Sequence, residues 1–131
     1  EQQAEDVAHA LRALLDRAAS LWIDRKKVVL MGHSAGAHLV ALVGTDERYL
    51  RSAGLSFADV AGVVLVDGAA YEVPSQMRDA GKHARRMYTD AFGSNPVRQR
   101  ALSPTDNAAA PNARAFLQSS RKLFMIPRPH V

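Results

Sequence analysis

The pentapeptide Gly32-His33-Ser34-Ala35-Gly36 narrows the possibilities for this chain most, because it directly follows the apolar run Val28-Val29-Leu30-Met31. The run reads as a strand, and residues 35–43 are apolar nearly all round, as a buried helix is. A strand that passes into a helix within so few residues must turn sharply. Such a turn strains the backbone of the serine, and side chains in place of Gly32 and Gly36 are expected to collide with the neighbouring strand and helix. It also lifts the Ser34 hydroxyl to the top of the sheet. The N–H of Ala35 is left at a helix N-terminus, where a developing oxyanion is stabilised. Ser34 is therefore the candidate nucleophile and Ala35 the candidate oxyanion donor. An ordinary glycine-rich strand-to-helix junction, with Ser34 only as a helix N-cap, fits the same pattern.

The flanking sequence supplies more elements of the same kind. Val7, Leu11, Leu14, Leu15, Ala18, Leu21 and Trp22 share one face at helical spacing, which predicts a helix over residues 4–22 with Trp22 in the core. Arg25, Lys26 and Lys27 follow it, where cations suit the helix dipole. Residues 27–31 form a short continuous apolar strand of the kind buried on both faces in a parallel sheet. A short helix is expected around residues 46–50, and residues 60–66 read as a second buried strand ended by Asp67-Gly68. Strand, helix and strand in that order make a βαβ unit with a parallel sheet.

Residues 72–107 are more highly charged and hold no convincing strand. Ala80, Ala84, Met87, Tyr88 and Ala91 have helical spacing, and Lys82, His83, Arg85 and Arg86 on its other faces read as a solvated face, with an anion-binding patch as the alternative. Gly93-Ser94-Asn95-Pro96 is a stop, and Ser103-Pro104-Thr105-Asp106-Asn107 a turn or helix start. Ala115-Phe116-Leu117 begins a strand that residues 118–122 are expected to break. Residues 123–126 are strand-like again, and Pro127 and Pro129 bar a central strand beyond them.

With 131 residues, 47% of them apolar, the chain suits one domain with a core. Its net charge of +4 comes from scattered basic residues without interleaved aromatics, so no nucleic-acid partner is expected. The sequence has no cysteine, which excludes disulfides, thiolate catalysis and cysteine-ligated zinc within it. No histidine spacing suits a metal, and no glycine-rich phosphate loop suits a nucleotide, so neither metal nor cofactor is expected. No apolar run approaches the roughly 18 residues of a membrane helix. The chain opens on Glu1-Gln2-Gln3, without an initiator methionine or a basic-then-apolar leader. The expectation is a cleaved or internal piece of a longer protein, with the compartment open and the cytoplasm slightly favoured.

Gly32-His33-Ser34-Ala35-Gly36-Ala37-His38-Leu39 resembles the nucleophile elbow of the α/β-hydrolase superfamily. The resemblance is closest to the esterase/lipase branch that holds kynurenine-formamidase-like (arylformamidase-like) enzymes and carboxylesterases. Val63-Val64-Leu65-Val66-Asp67-Gly68 with Tyr71, and then Phe92-Gly93 and Leu102-Ser103-Pro104, resemble later segments of that branch. The resemblance implies a partial α/β-hydrolase fold with residues 72–107 as a cap-like insertion. It also implies a serine hydrolase acting on a small carboxylic ester or aryl formamide through an acyl-enzyme on Ser34, with Gly32 and Gly36 shaping the elbow.

The family mechanism also needs a second oxyanion donor from an upstream His-Gly-Gly loop, a carboxylate and a histidine base. This sequence has no His-Gly-Gly, and its five histidines are His9, His33, His38, His83 and His130. His9 is expected on a helix surface, His33 in packing and His83 on the cap-like helix. His130 alone follows Ser34 in family order, near the place expected for the acid. Asp67 is the best-placed carboxylate, and equally a turn residue before Gly68. The expectation is a chain that is weak or inactive alone. A degenerate non-catalytic module and a partner-dependent fragment are the alternatives.

Overall fold

The computed structural model describes residues 1–109 and 111–119. The elements in chain order are α1 (Gln2–Asp16), β1 (Val29–His33), α2 (Ala35–Thr45), α3 (Glu47–Ser52), β2 (Gly62–Val66), α4 (Val73–Asp79), α5 (Lys82–Phe92), α6 (Pro96–Ala101), α7 (Pro104–Asn107) and β3 (Phe116–Ser119). The three strands form a parallel sheet in the order β1-β2-β3, with Leu30 beside Val63 and Val63 beside Phe116. The fold is mixed α/β, with helices packed on a parallel sheet.

Helix α2 is the centre of the packing. Ala37, Val40, Ala41, Leu42 and Val43 are all buried on it. It lies on β1 and β2 and is covered in turn by α1, α3 and α7. A side chain at Gly44 would bring its Cβ within 2.8 Å of Val63 Cγ2 and 2.9 Å of the Phe116 ring, so the missing side chain lets α2 press close to the sheet. Asp46 then ends α2 and starts α3. Its carboxylate accepts from the Arg48 N–H at 3.1 Å and from the Arg48 guanidinium at 2.6 Å.

The first helix ends at Asp16, six residues short of the predicted end. The Arg17 N–H turns back to the Leu14 carbonyl and the Ala18 N–H to that of Leu15, which also accepts from the Arg25 guanidinium across the next loop. Cationic closure of the helix end was expected; the early stop was not. Beyond Asp16 the apolar stripe is no longer on a helix, so Trp22 leaves the expected core. It has φ 57° and is 97% exposed.

The first strand begins later than residue 27, because Asp24 accepts from the Lys26 N–H at 2.9 Å and draws residues 25–27 into a 3-10 turn. Nor is it buried on both faces. Leu30 and Gly32 face α2, whereas Val29 and Met31 are 49% and 70% exposed on the other side. Leu117 shares that side through its neighbour Val64 and is 63% exposed. Among the described residues the helices cover one face of this sheet.

Residues 72–107 hold α4 to α7 and no strand. Gly93 ends α5 at φ 72°, a conformation in which glycine carries no steric penalty. Strand β3 runs on through Gln118 and Ser119, where a break was expected, because both residues stay in register with Leu65 and Val66. The expectations for residues 123–126, for Pro127 and Pro129 and for His130 lie outside the described residues. No helix among the described residues is long and apolar enough to cross a membrane.

Two substitutions separate the observed core from the one read off the stripe. Leu15→Ala, at a 1% exposed position, is expected to cost about 2–5 kcal/mol. Trp22→Ala is expected to change stability by less than about 0.5 kcal/mol in the same urea unfolding experiment.

Candidate active site

The turn from β1 into α2 is built by close backbone contact. A Cβ added to Gly32 would lie 2.1 Å from the Gly36 carbonyl oxygen and 2.7 Å from the Ala37 nitrogen, so this position admits only glycine. Gly36 differs from expectation. No atom of the described residues lies within 4 Å of the place its Cβ would occupy. The two glycines of the motif therefore have different physical standing.

Ser34 sits between them with φ 53° and ψ −119°. An L-residue pays about 1–3 kcal/mol to be held in such a region. The Ser34 N–H donates to the Val66 carbonyl at 3.0 Å, which ties the turn to β2. Ser34 holds the N-cap position of α2, yet its side chain makes no capping hydrogen bond. Its hydroxyl is thus not engaged as an ordinary cap. Ala35 and Gly36 are the first residues of α2, so their N–H groups have no intrahelical acceptor and point out of the helix end.

Ser34 and Ala35 open onto a cavity of about 240 Å3. One wall is α2, through His38, Leu39 and Leu42. The opposite wall is α5, through Met87, Tyr88 and Phe92, and Leu102 contributes from the end of α6. The site thus combines an exposed hydroxyl, unpaired helix-end N–H groups and an apolar chamber. Such a combination can present a nucleophile to a carbonyl and stabilise the charge on its oxygen.

The histidines are distributed unevenly around this site. His9 and His83 are exposed on α1 and α5, as expected. His33 does not pack. Its side chain is 67% exposed, because it lies on the same uncovered side of the sheet as Val29 and Met31, and its Nε2 stands 4.0 Å from Asp67 Oδ2. Asp67 itself has φ 50°, and its N–H donates to the Ser119 carbonyl at 2.8 Å where β2 ends.

His38 is buried, and its Nε2 lies 2.9 Å from the Leu102 carbonyl. A carbonyl can only accept, so Nε2 carries the proton. The ring also meets Phe92 edge-on at 5.1 Å. Burial pushes the His38 ionisation below its ordinary value, and the Leu102 carbonyl works against that shift. His38 therefore joins α2 to the wall opposite it. Sequence spacing held no signal for this contact, whose partners are 64 residues apart.

Gly68 was legible only as a turn. In the fold its Cβ would lie 2.0 Å from the Tyr71 hydroxyl and 2.7 Å from Ala37, so the Tyr71 ring closes down on the loop after β2. Among the described residues that hydroxyl is buried without a hydrogen-bond partner, and burial raises its ionisation. No three His, Cys, Asp or Glu among the described residues lie close enough to hold a metal ion.

Comparison with known proteins adds to this geometry. Residues 1–60 match the family model BD-FAE. That is an α/β-hydrolase-type esterase family, and the matched stretch contains the whole Gly32–Gly36 turn. The chain is also 30% identical over 97 residues to endo-1,4-beta-xylanase B of Butyrivibrio fibrisolvens. That similarity takes in 74% of this chain and 15% of the xylanase. No solved structure matches the chain. The two similarities support a hydrolase family at large and do not single out a branch within it.

Gly32→Ala is expected to destabilise the fold by about 2–3 kcal/mol through backbone overlap. Gly36→Ala is expected to be neutral or to stabilise by up to about 1 kcal/mol through helix propensity, both read by thermal melts. His38 gives a pH dependence. The unfolded chain takes up a proton near 6.5, whereas the folded chain keeps His38 neutral to lower pH. The unfolded state then binds more protons, so stability falls as pH drops through 6.5 and the loss stops below the folded pKa. Melting temperatures from pH 7.5 down to 5 should show this fall in the wild type and less of it in His38→Gln.

Proposed function

We propose that this chain carries the nucleophile of a serine hydrolase acting on small carboxylic esters, with aryl formamides as the nearest alternative substrate. The observation that carries the reading is the Ser34 backbone, held at φ 53° with its side chain outside any capping bond. A serine that only capped a helix would have neither property. The similarity to an esterase family over residues 1–60 adds support.

In this mechanism Ser34 Oγ attacks the acyl carbon and its proton passes to a base. The carbonyl oxygen, now negative, is met by the Ala35 N–H. Collapse of the tetrahedral intermediate expels the alcohol or amine and leaves an acyl group on Ser34, which water removes in a second addition. The apolar chamber of about 240 Å3 suits a compact acyl or aryl group. The similarity to a xylanase lends support to an ester carried on a carbohydrate. Residues 72–107 would serve as a cap, since α5 forms the wall facing Ser34.

Among the described residues no histidine stands free beside Ser34 to act as that base. His38 Nε2 is engaged with Leu102, and His33 lies beside Asp67 on the uncovered face of the sheet. A second oxyanion donor is also expected from outside residues 34–36, and one such donor contributes about 3 kcal/mol of transition-state stabilisation. That observation favours a second reading, a non-catalytic module that retains the elbow.

A fluorophosphonate probe followed by peptide mapping separates the two. The serine-hydrolase reading expects slow covalent labelling of Ser34, absent in Ser34→Ala, together with weak p-nitrophenyl acetate turnover by the same chain. Labelling that persists in Ser34→Ala, or no labelling at all under prolonged exposure, would favour the non-catalytic module.

A further inference from the structure

A second concavity lies away from Ser34, between α4, α5 and α6, with a volume of about 530 Å3. Arg78 comes from α4, Arg85 from α5 and Arg100 from α6, and among the described residues no carboxylate lines the space. None of the three arginines takes part in an ion pair among the described residues, whereas Arg12, Arg48, Arg51 and Arg98 all do. Arg85 is held in place by donating to the Arg78 carbonyl at 3.1 Å. Pro74, Met77 and Pro96 supply apolar surface between the charges.

Three cations brought to one groove by three separate helices repel one another, and solvent screening only reduces that repulsion. An oxyanion placed among them removes it. Guanidinium groups are planar forks that match carboxylate and phosphate oxygens in pairs of hydrogen bonds. The apolar residues between them suit the hydrocarbon or ring that bears the oxyanion.

We propose that this groove binds a small organic anion, carrying carboxylate or phosphate groups on an apolar scaffold, at a site separate from Ser34. The two sites share α5. Arg85 lines the groove, and Met87, Tyr88 and Phe92 line the Ser34 chamber. The proposal does not depend on Ser34 being a nucleophile, since binding alone tests it.

The test is calorimetric titration of the 131-residue chain at low salt with phthalate and with phenyl phosphate, and with benzyl alcohol as the uncharged control. The expected result is saturable binding of at least one anion and none of the alcohol. Affinity should fall about tenfold in Arg78→Gln, Arg85→Gln and Arg100→Gln. Arg86→Gln removes the same charge from an exposed position on α5 outside the groove and should change affinity by less than about threefold. Tighter binding of phthalate names a carboxylate ligand, and tighter binding of phenyl phosphate a phosphate. No saturable binding of either anion would overturn the proposal. So would an equal loss in Arg86→Gln, which would reduce the effect to diffuse surface charge. All four positions are exposed, so circular dichroism should show each variant folded.

Discussion

The close approach of Gly32 to the Gly36 carbonyl is the contact from which the remaining geometry follows. With a side chain there, β1 could not pass into α2 within one residue. Because the turn is so short, α2 runs back across the sheet and packs on both β1 and β2. Gly44 then lets its far end settle onto Val63 and Phe116. The core grows outward from this helix, with α1 and α3 on its outer side. The hydrophobic burial that stabilises the domain and the orientation of Ser34 are therefore set by the same few atoms.

The site is held from two directions. On the sheet side, the Ser34 N–H bonds to Val66, and Tyr71 folds over Gly68 against Ala37. On the helical side, His38 bonds to the Leu102 carbonyl and touches Phe92, joining α2 to the segment that follows β2. A neutral, buried histidine suits that role, since a charged one would be poorly solvated there. The chamber beside Ser34 thus exists because residues distant in sequence meet above the N-terminal half of α2.

Local features were the legible part of this fold. The elbow, the apolar helix after it, the second strand and the helix at residues 82–92 all carry their own period or punctuation. What spacing could not convey was where a pattern stops being used. The stripe from Val7 to Trp22 reads as one helix, but Arg25 and Arg17 close α1 at Asp16 and leave Trp22 in solvent. The run at Val28–Met31 looks doubly buried, but burial depends on which faces other elements cover, and Met31 is 70% exposed. Gly36 shows the same limit within the motif itself. Its presence was visible, and only the packing reveals that no neighbour demands it. The hydrogen bond of His38 and the meeting of Arg78, Arg85 and Arg100 are products of tertiary placement, and no window of sequence contains them.

The backbone at Ser34 has one further consequence. With φ 53° and ψ −119°, this is a position that glycine occupies more readily than any residue with a β-carbon. A change from serine to glycine there relieves backbone strain, so selection for stability alone gives no reason to keep the hydroxyl. In a lineage with no use for the hydroxyl, nothing would oppose the drift. The residue at position 34 across descendants of this chain is therefore a record of whether its chemistry was in use, written at a place where stability and reactivity pull in opposite directions.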